Sequence, residues 1–442
     1  MGEAAHVALS AIGKQDTYLL SKDPEESFFN YNTEQHAEFR KFHRNRNIVA
    51  PSNRQATWPF GETIKVQYDP RTNMGDYLSN MYVSLTLPAL EVGGNYADQV
   101  GRHIFEYVKM FVDEIEVETF WGDWGIIHDE MYTEMSEKVA NRFLLNRSLA
   151  FDTSDSANNY AEYASDVVVP LNFFFSRKYA ADEYESNQPN RPYFPACACH
   201  RQKIEFEFKF HPQQFFANTT QTLTLSEFDI VTEEISTTRD ERAYTMNHRG
   251  LWVTDVVKKH PVVVTDPNST VIKNQLVPNI PVKTLHWFFR NTKFEDPLVV
   301  KESGETEEGN FYIHNRFNFS SNVNFDQLNT FFDPVMDNAR FYIQGNQLPN
   351  ITSSDHTYFK YYIPFEKRLS RPIRNIYSYA FSMHPVNVQP SGSLDFSQLE
   401  SNKTIIECNL LPTSETYSLH MYYTGYETFK FENGFMSRAY SP

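Results

Sequence analysis

Cys197-Ala198-Cys199-His200 is the densest group of potential metal ligands in the chain, and zinc is the chemistry it would suggest. A structural zinc site takes four ligands, with cysteines usually two to four residues apart in the Cys-x2–4-Cys pattern. Here one residue separates the cysteines, no second pair follows, and Cys408 lies far along the chain. No metal and no cofactor is therefore expected, and the default for these thiols is a buried or loop position. His128-Asp129-Glu130 is the second candidate, for acid–base work. No His-Glu-x-x-His motif accompanies it, and acidic residues in a first helical turn are explained by the helix dipole. The chain has no Gly-x-Ser-x-Gly and no glycine-rich phosphate loop. Carboxylate pairs for glycoside hydrolysis stay open, because any two can meet in space. No catalytic, cofactor-binding or metal residue is assigned.

The elements that must carry these residues read as β. Aromatic residues make up 15% of the 442 residues, with 37 Phe and 26 Tyr, and such side chains suit half-buried pleated surfaces. The 23 Pro against 16 Gly point to fixed turns and strand edges. Met81, Val83, Leu85 and Leu87 alternate with polar residues until Pro88. Val108, Met110 and Val112 turn at Asp113-Glu114 into Ile115 and Val117. Ile204, Phe206, Phe208 and Phe210 alternate with Glu205, Glu207 and Lys209. Further strands are expected at Val262–Thr265, Leu285–Arg290, Arg340–Ile343 and Ser418–Tyr423. Only Asp129 to about Leu145 reads as helix. Met131, Met135, Val139 and Phe143 recur every four residues, Glu134 and Lys138 form an i,i+4 pair, and Asp129 and Asn146 serve as caps.

A weak internal repeat organises the strands. Arg201–Pro212 echoes Arg374–Pro385, both being alternating aromatic runs that stop at His-Pro, where proline ends the ladder. On that basis Ile204–Phe210 and Tyr377–Met383 should be equivalent, with Phe206, Phe208, Tyr379 and Phe381 facing their cores. Val169–Lys178 parallels Ile363–Leu369, and Thr222–Thr232 parallels Tyr417–Thr428. The repeat predicts two β-sandwiches, residues 1–234 with an N-terminal arm over about 1–50, and residues 235–442, with a boundary near Glu233–Asp240.

Net charge is −16, which disfavours direct contact with nucleic acid, since phosphates are neutralised by basic surfaces. Arg40, Lys41, His43, Arg44 and Arg46 form a small basic cluster that could meet acidic lipid or an acidic partner, or simply be a solvated loop face. Three cysteines cannot build a disulfide framework, which suits a reducing compartment. No apolar run is long enough to span a bilayer, and the N-terminus lacks the features of a signal peptide or a myristoylation site. Asn146, Asn218, Asn268, Asn318, Asn350 and Asn402 each head an Asn-x-Ser/Thr triplet, read as chance in an Asn-rich chain outside the secretory route.

The run Ile376–Gln398, a strand followed by the turn Gln389-Pro390-Ser391-Gly392 and then Phe396-Ser397, resembles a hallmark of the major capsid proteins of nucleocytoplasmic large DNA viruses. Six further segments occur in that family's order. They are Gly13–Leu19, Gly75–Leu78 with Leu87–Leu90, Gly122-Asp123-Trp124, Val169–Arg177, Glu241-Arg242 and Leu285–Arg290. The chain departs at Asp113-Glu114, which lacks the family's glycine, and at Pro195–His200, which replaces an apolar loop.

The resemblance implies an all-β double jelly roll of two tandem eight-stranded antiparallel sandwiches, with loop insertions and one or a few short helices. It implies a homotrimeric, pseudo-hexagonal capsomer that tiles a large icosahedral shell, in contact with neighbouring capsomers, with minor capsid or penton proteins and, through its N-terminal base, with an internal membrane. The expected location is the virion capsid, assembled in the host cytoplasm. A carbohydrate-binding module or a hydrolytic β-sandwich is the alternative reading.

Overall fold

In a computed structural model, residues 39–49, 60–72, 74–92, 94–145, 164–177, 193–225, 228–247, 249–266, 269–295, 312–322, 333–348, 355–387 and 390–440 are described. The eight main strands of the first half are β1 (Phe39–Val49), β2 (Thr63–Tyr68), β3 (Tyr77–Leu87), β4 (Phe105–Val112), β5 (Ile115–Trp121), β6 (Ser165–Pro170), β7 (Ile204–Phe210) and β8 (Phe228–Thr237). They pair as two antiparallel sheets, β1-β8-β3-β6 and β2-β7-β4-β5. The eight of the second half are β9 (Gly250–Lys259), β10 (Val271–Gln275), β11 (Pro281–Asn291), β12 (Met336–Ile343), β13 (Asn346–Leu348), β14 (Tyr377–Ala380), β15 (Ile405–Leu410) and β16 (Tyr417–Glu432). They pair as β9-β16-β11-β14 and β10-β15-β12-β13. The second set thus repeats the strand order of the first, element for element, and the fold is two tandem jelly rolls.

Period-two patterning builds the walls of both sandwiches. Ile204, Phe206, Phe208 and Phe210 are fully buried while the residues between them are half-exposed, and β15 alternates in the same way. Hairpins close where the backbone can turn left-handed. Asn433 and Gly434 (φ 54° and 83°) return β16 to a short strand, Phe435–Arg438, as a type I′ loop requires. Asp113 takes φ 51° in the β4–β5 hairpin, a conformation its short polar side chain tolerates, so glycine is not needed there.

Several expectations change. The expected helix Asp129–Leu145 is two helices, α1 (Gly122–Met131) and α2 (Met135–Leu145). Every residue of α1 except Asp123 is buried, so α1 presents no amphipathic stripe to read. Asp129 lies in the last turn of α1 and caps nothing. Met135 and Val139 point outward, and Lys138 Nζ donates to the carbonyls of Glu130 and Arg371 (both 2.7 Å) instead of pairing with Glu134. Asn146 and the side chain of Phe143 lie outside the described residues.

The His-Pro equivalence also fails. Ile204–Phe210 is β7, inside the sheet β2-β7-β4-β5, whereas Tyr377–Ala380 is β14, at the edge of β9-β16-β11-β14. The counterparts are β7 with β15 and β6 with β14. Alternation marks any half-buried strand and carries no information about strand order. β14 stops at Ala380, Met383 is exposed, and Tyr379 and Phe381 are only partly buried. Val169–Pro170 ends a strand, whereas Ile363–Glu366 is helical; of Thr222–Thr232, paired with Tyr417–Thr428, only residues 228–232 fall on β8, the counterpart of β16. Val262–Thr265 shrinks to the two-residue strand Val263–Val264, and β8 runs through residue 234 to Thr237. The chain then crosses between sandwiches in α3 (Arg239–Asn247).

Candidate functional site

The second sandwich has one sheet whose central strand is buried on both faces. All of β11 from Val282 to Asn291 is buried, although alternate residues should face water in a free-standing sandwich. The inner face carries Leu285, Trp287 and Phe289 into the second core. The outer face carries Thr284, His286, Phe288 and Arg290, beside Ser418, His420, Tyr422 and Thr424 of β16. What covers this outer face is α1 of the first sandwich together with Phe317 and Phe319, the Phe319 ring stacking on Phe288 at 3.9 Å.

The contact is polar and closely matched. Gly122 opens α1 against the Arg102 carbonyl, where a Cβ would collide with the backbone. Asp123 accepts hydrogen bonds from Arg290 Nη2 and from Tyr422 Oη (3.1 Å). Burial alone would raise the Asp123 carboxyl, but Arg290, Lys259 and His420 together hold it well below the usual carboxylate range. Trp124 packs between the rings of His286 (6.0 Å) and Tyr422 (6.4 Å). Tyr132 Oη lies 2.8 Å from His286 Nε2, and Ser378 Oγ lies 2.6 Å from Nδ1. A neutral imidazole serves both hydroxyls, donating to one and accepting from the other. Burial pushes the His286 pKa down to about 3.

Other carboxylates cross the same boundary. Glu118 of β5 accepts from the backbone N–H of Val257 in the second sandwich and of Phe174 in the first (both 2.8 Å), and is paired with Arg177. Glu130 accepts from Arg374 Nη1 (2.6 Å) and from the Ile373 N–H. Asp129 takes a two-pronged contact from Arg102 (2.8 and 2.9 Å). Burial would raise the Asp129 carboxyl; Arg102 and His128 lower it. The helix dipole does not explain the His128-Asp129-Glu130 triplet, since both acids sit at the C-terminal end of α1, where the dipole opposes them. Buried guanidinium partners hold them there. Both acids line a cleft of about 240 Å³ with Lys138 and Arg374, but in these pairings they are structural.

The crossing segment is fastened too. Asp76 accepts from the N–H (2.8 Å) and hydroxyl (3.0 Å) of Thr237 and ion-pairs with Arg242 of α3 (3.1 Å). Tyr77 Oη meets Thr245 Oγ1 at 2.8 Å. The motifs Gly75-Asp76, Gly122-Asp123-Trp124, Arg177, Arg242 and Leu285–Arg290 therefore converge on the joint between the sandwiches. Gly13–Leu19 lies outside the described residues. Sequence reading missed Arg102, Glu118 and Arg374, whose signal is a charge inside an otherwise apolar strand or turn.

The metal candidates do not converge. Cys197 and Cys199 are fully buried on one 3-10 turn, and Cys408 is in the second core. Cys199 Sγ donates to the Ala196 carbonyl (3.2 Å), and burial raises the Cys197 thiol to about 12. Among the described residues no His, Cys, Asp and Glu group has the geometry to hold a metal ion. Replacing Cys197 and Cys199 together with Ala is expected to keep fold and native mass at a cost of about 1–2 kcal/mol of lost packing. Bound zinc in the purified protein that disappears with the fold in this variant would contradict that. Of the basic cluster, Arg44 and Arg46 lie on β1 and reach Glu233 (2.8 Å) and Asp229 (2.7 Å) across β8, so the cluster sits on a strand and not in a loop. Asn318 is buried, its amide donating to Asn315 Oδ1 (2.7 Å), whereas Asn402 is exposed.

A family profile described as the major capsid protein N-terminus matches residues 39–254, and one described as the large eukaryotic DNA virus major capsid protein matches residues 241–435. The chain belongs to the major capsid proteins of large eukaryotic DNA viruses. No curated protein matches it. Among solved structures it is similar to the subunit of the PBCV-1 virus capsid, at TM-score 0.69 and 16% identity over 93% of this chain and 100% of that one. PBCV-1 VP54, fitted into a reconstruction of the virophage Sputnik, gives TM-score 0.67 and 15% identity with the same coverage, 93% and 100%. The Faustovirus major capsid protein gives 0.63 and 12%, over 92% of this chain and 93% of that one. As a major capsid protein the chain is a structural component of the virion shell and not an enzyme.

Proposed function

We propose that this capsid protein forms a homotrimeric, pseudo-hexagonal capsomer that tiles a large icosahedral shell. The observation that carries the reading is the strand-for-strand repeat, β1–β8 against β9–β16, with the two copies joined through buried ion pairs and hydrogen bonds. Three chains then supply six similar sandwiches, and a threefold axis yields a nearly sixfold tile. In this reading the first jelly roll ends at Thr237 and the second starts at Gly250, with α3 between them. Neighbouring tiles, minor capsid or penton proteins and, beneath the N-terminal base, a membrane are the expected partners, with assembly in the host cytoplasm.

Light scattering on the purified full chain is expected to give about 155 kDa, three times the chain's 51.7 kDa. Obligate assemblies of this kind bury more than about 2,000 Å². A monomer at micromolar concentration would end the reading.

A further inference from the structure

The first sandwich reaches the second through its insertion between β5 and β6, where α1 lays Asp123 and Trp124 on the outer face of β9-β16-β11-β14. The second sandwich carries an insertion at the equivalent point, between β13 and β14. It is a helical turn, Tyr358–Tyr362, that continues into α4 (Ile363–Glu366). Its inner side is fixed, with the Phe359 ring 5.2 Å from Trp287 and Lys360 Nζ donating to Asn375 Oδ1 at 2.6 Å. Its outer side presents Tyr362 and Phe365, 53% and 82% exposed. Two aromatic rings three residues apart on one side of a helical segment form an apolar knob, which in a soluble chain marks a contact surface.

A matching seat exists on the first sandwich. The outer face of β1-β8-β3-β6 is the counterpart of the face that α1 covers in the second. Register places Tyr82 opposite Val231 on one side and Pro170 on the other, with Val168 opposite Ser84 on the same face. Tyr82, Val168 and Pro170 are partly exposed, whereas Thr284, His286 and Phe288 of the equivalent strand β11 are fully buried. The same face carries Arg44 and Arg46 of β1, ion-paired with Glu233 and Asp229 of β8, and Asp166 is exposed on β6; Arg368 and Arg371 are exposed just beyond α4. Among the described residues, one chain thus holds a knob without a seat and a seat without a knob, related as α1 is to its own covered sheet. Such a head-to-tail relation is what identical copies use to close a ring.

We propose that the insertion Tyr358–Glu366 of one copy docks through Tyr362 and Phe365 on the outer face of the β1-β8-β3-β6 sheet of the next copy. This rests on the trimer reading and names its contact. Two measurements on the full chain test it. Phe365→Asp should lower the native mass from trimer to monomer with an unchanged circular dichroism spectrum. Phe365→Cys combined with Val168→Cys should give covalently linked chains on a non-reducing gel after mild oxidation. Neither single variant should do so, because all three native thiols are buried. An unaltered chain that is monomeric would sink the trimer reading, and this proposal with it. A trimeric unaltered chain whose double-cysteine variant does not cross-link, and whose Phe365→Asp variant stays trimeric, would overturn only the proposal. So would a Phe365→Asp trimer that fails only to join into larger arrays, which would place Phe365 between tiles. If Phe365→Asp misfolds, the cross-link alone decides.

Discussion

Arg290→Met is expected to destabilise the folded chain by about 3–5 kcal/mol, because it strands the Asp123 carboxylate in the joint between the sandwiches. The Arg290 side chain is 6% exposed and that of Asp123 14%, so little water can replace the lost partner. The guanidinium also lies over the rings of Phe288 (5.3 Å), Phe319 (5.6 Å) and Phe317 (5.8 Å), contacts that methionine only partly restores. Adding Asp123→Asn to Arg290→Met should recover a substantial part of the loss, since the double variant no longer buries a lone charge. Urea unfolding followed by tryptophan fluorescence reads both, as Trp124 sits in the joint. A single variant within about 1 kcal/mol of the parent would show that the ion pair does not hold the sandwiches together.

Acid should loosen the same joint. His286 is fully buried with a pKa near 3, and burial, reinforced by Arg316, places His103 well below the ordinary range. Both imidazoles are neutral in the fold and gain a proton on unfolding, so the unfolded chain binds more protons once pH drops below about 6.5. Stability is therefore complete above that value and falls as the medium is acidified, by about 1.4 kcal/mol per pH unit for each such group. Between pH 6.5 and 5 the two together cost about 3 kcal/mol. Glu295 adds a second phase lower down. Burial would raise its carboxyl, but His420 and Arg290 hold it at about 2, so its contribution is present above about pH 4.5 and is lost on approach to that lower value. Thermal melts from pH 7 to pH 5 should show a steep fall that His286→Gln makes shallower. Equal slopes in parent and variant would remove His286 from the account.

The family and the β class were legible because strands such as β3 and β7 have one wet face and one dry one, which writes itself as alternation. Strand order was not legible. His211-Pro212 and His384-Pro385 both end aromatic runs, yet those runs belong to different sheets, since a terminator says where a strand stops and nothing about its neighbour. α1 escaped for the opposite reason: with both the first core and the second sheet around it, it has no polar face to set a period. The polar joint was visible only in part. Gly122-Asp123-Trp124 could be matched as a motif, but its partner Arg290 lies 167 residues away, and only the fold brings them together. A helix dipole accounts for the acidic pair Asp129-Glu130 only if the helix starts at Asp129, whereas it starts at Gly122, about two turns earlier.

α3 is nine residues long and is held at both ends, by Arg242 on Asp76 and by Thr245 on Tyr77. With Glu118, Glu130 and Asp123 clamped across the same seam, the two halves are fastened to each other along the described part of the path that joins them. Such a subunit behaves as a stiff paving stone. A shell built of such stones bends at the contacts between them and not within them, so its curvature is set by those contacts.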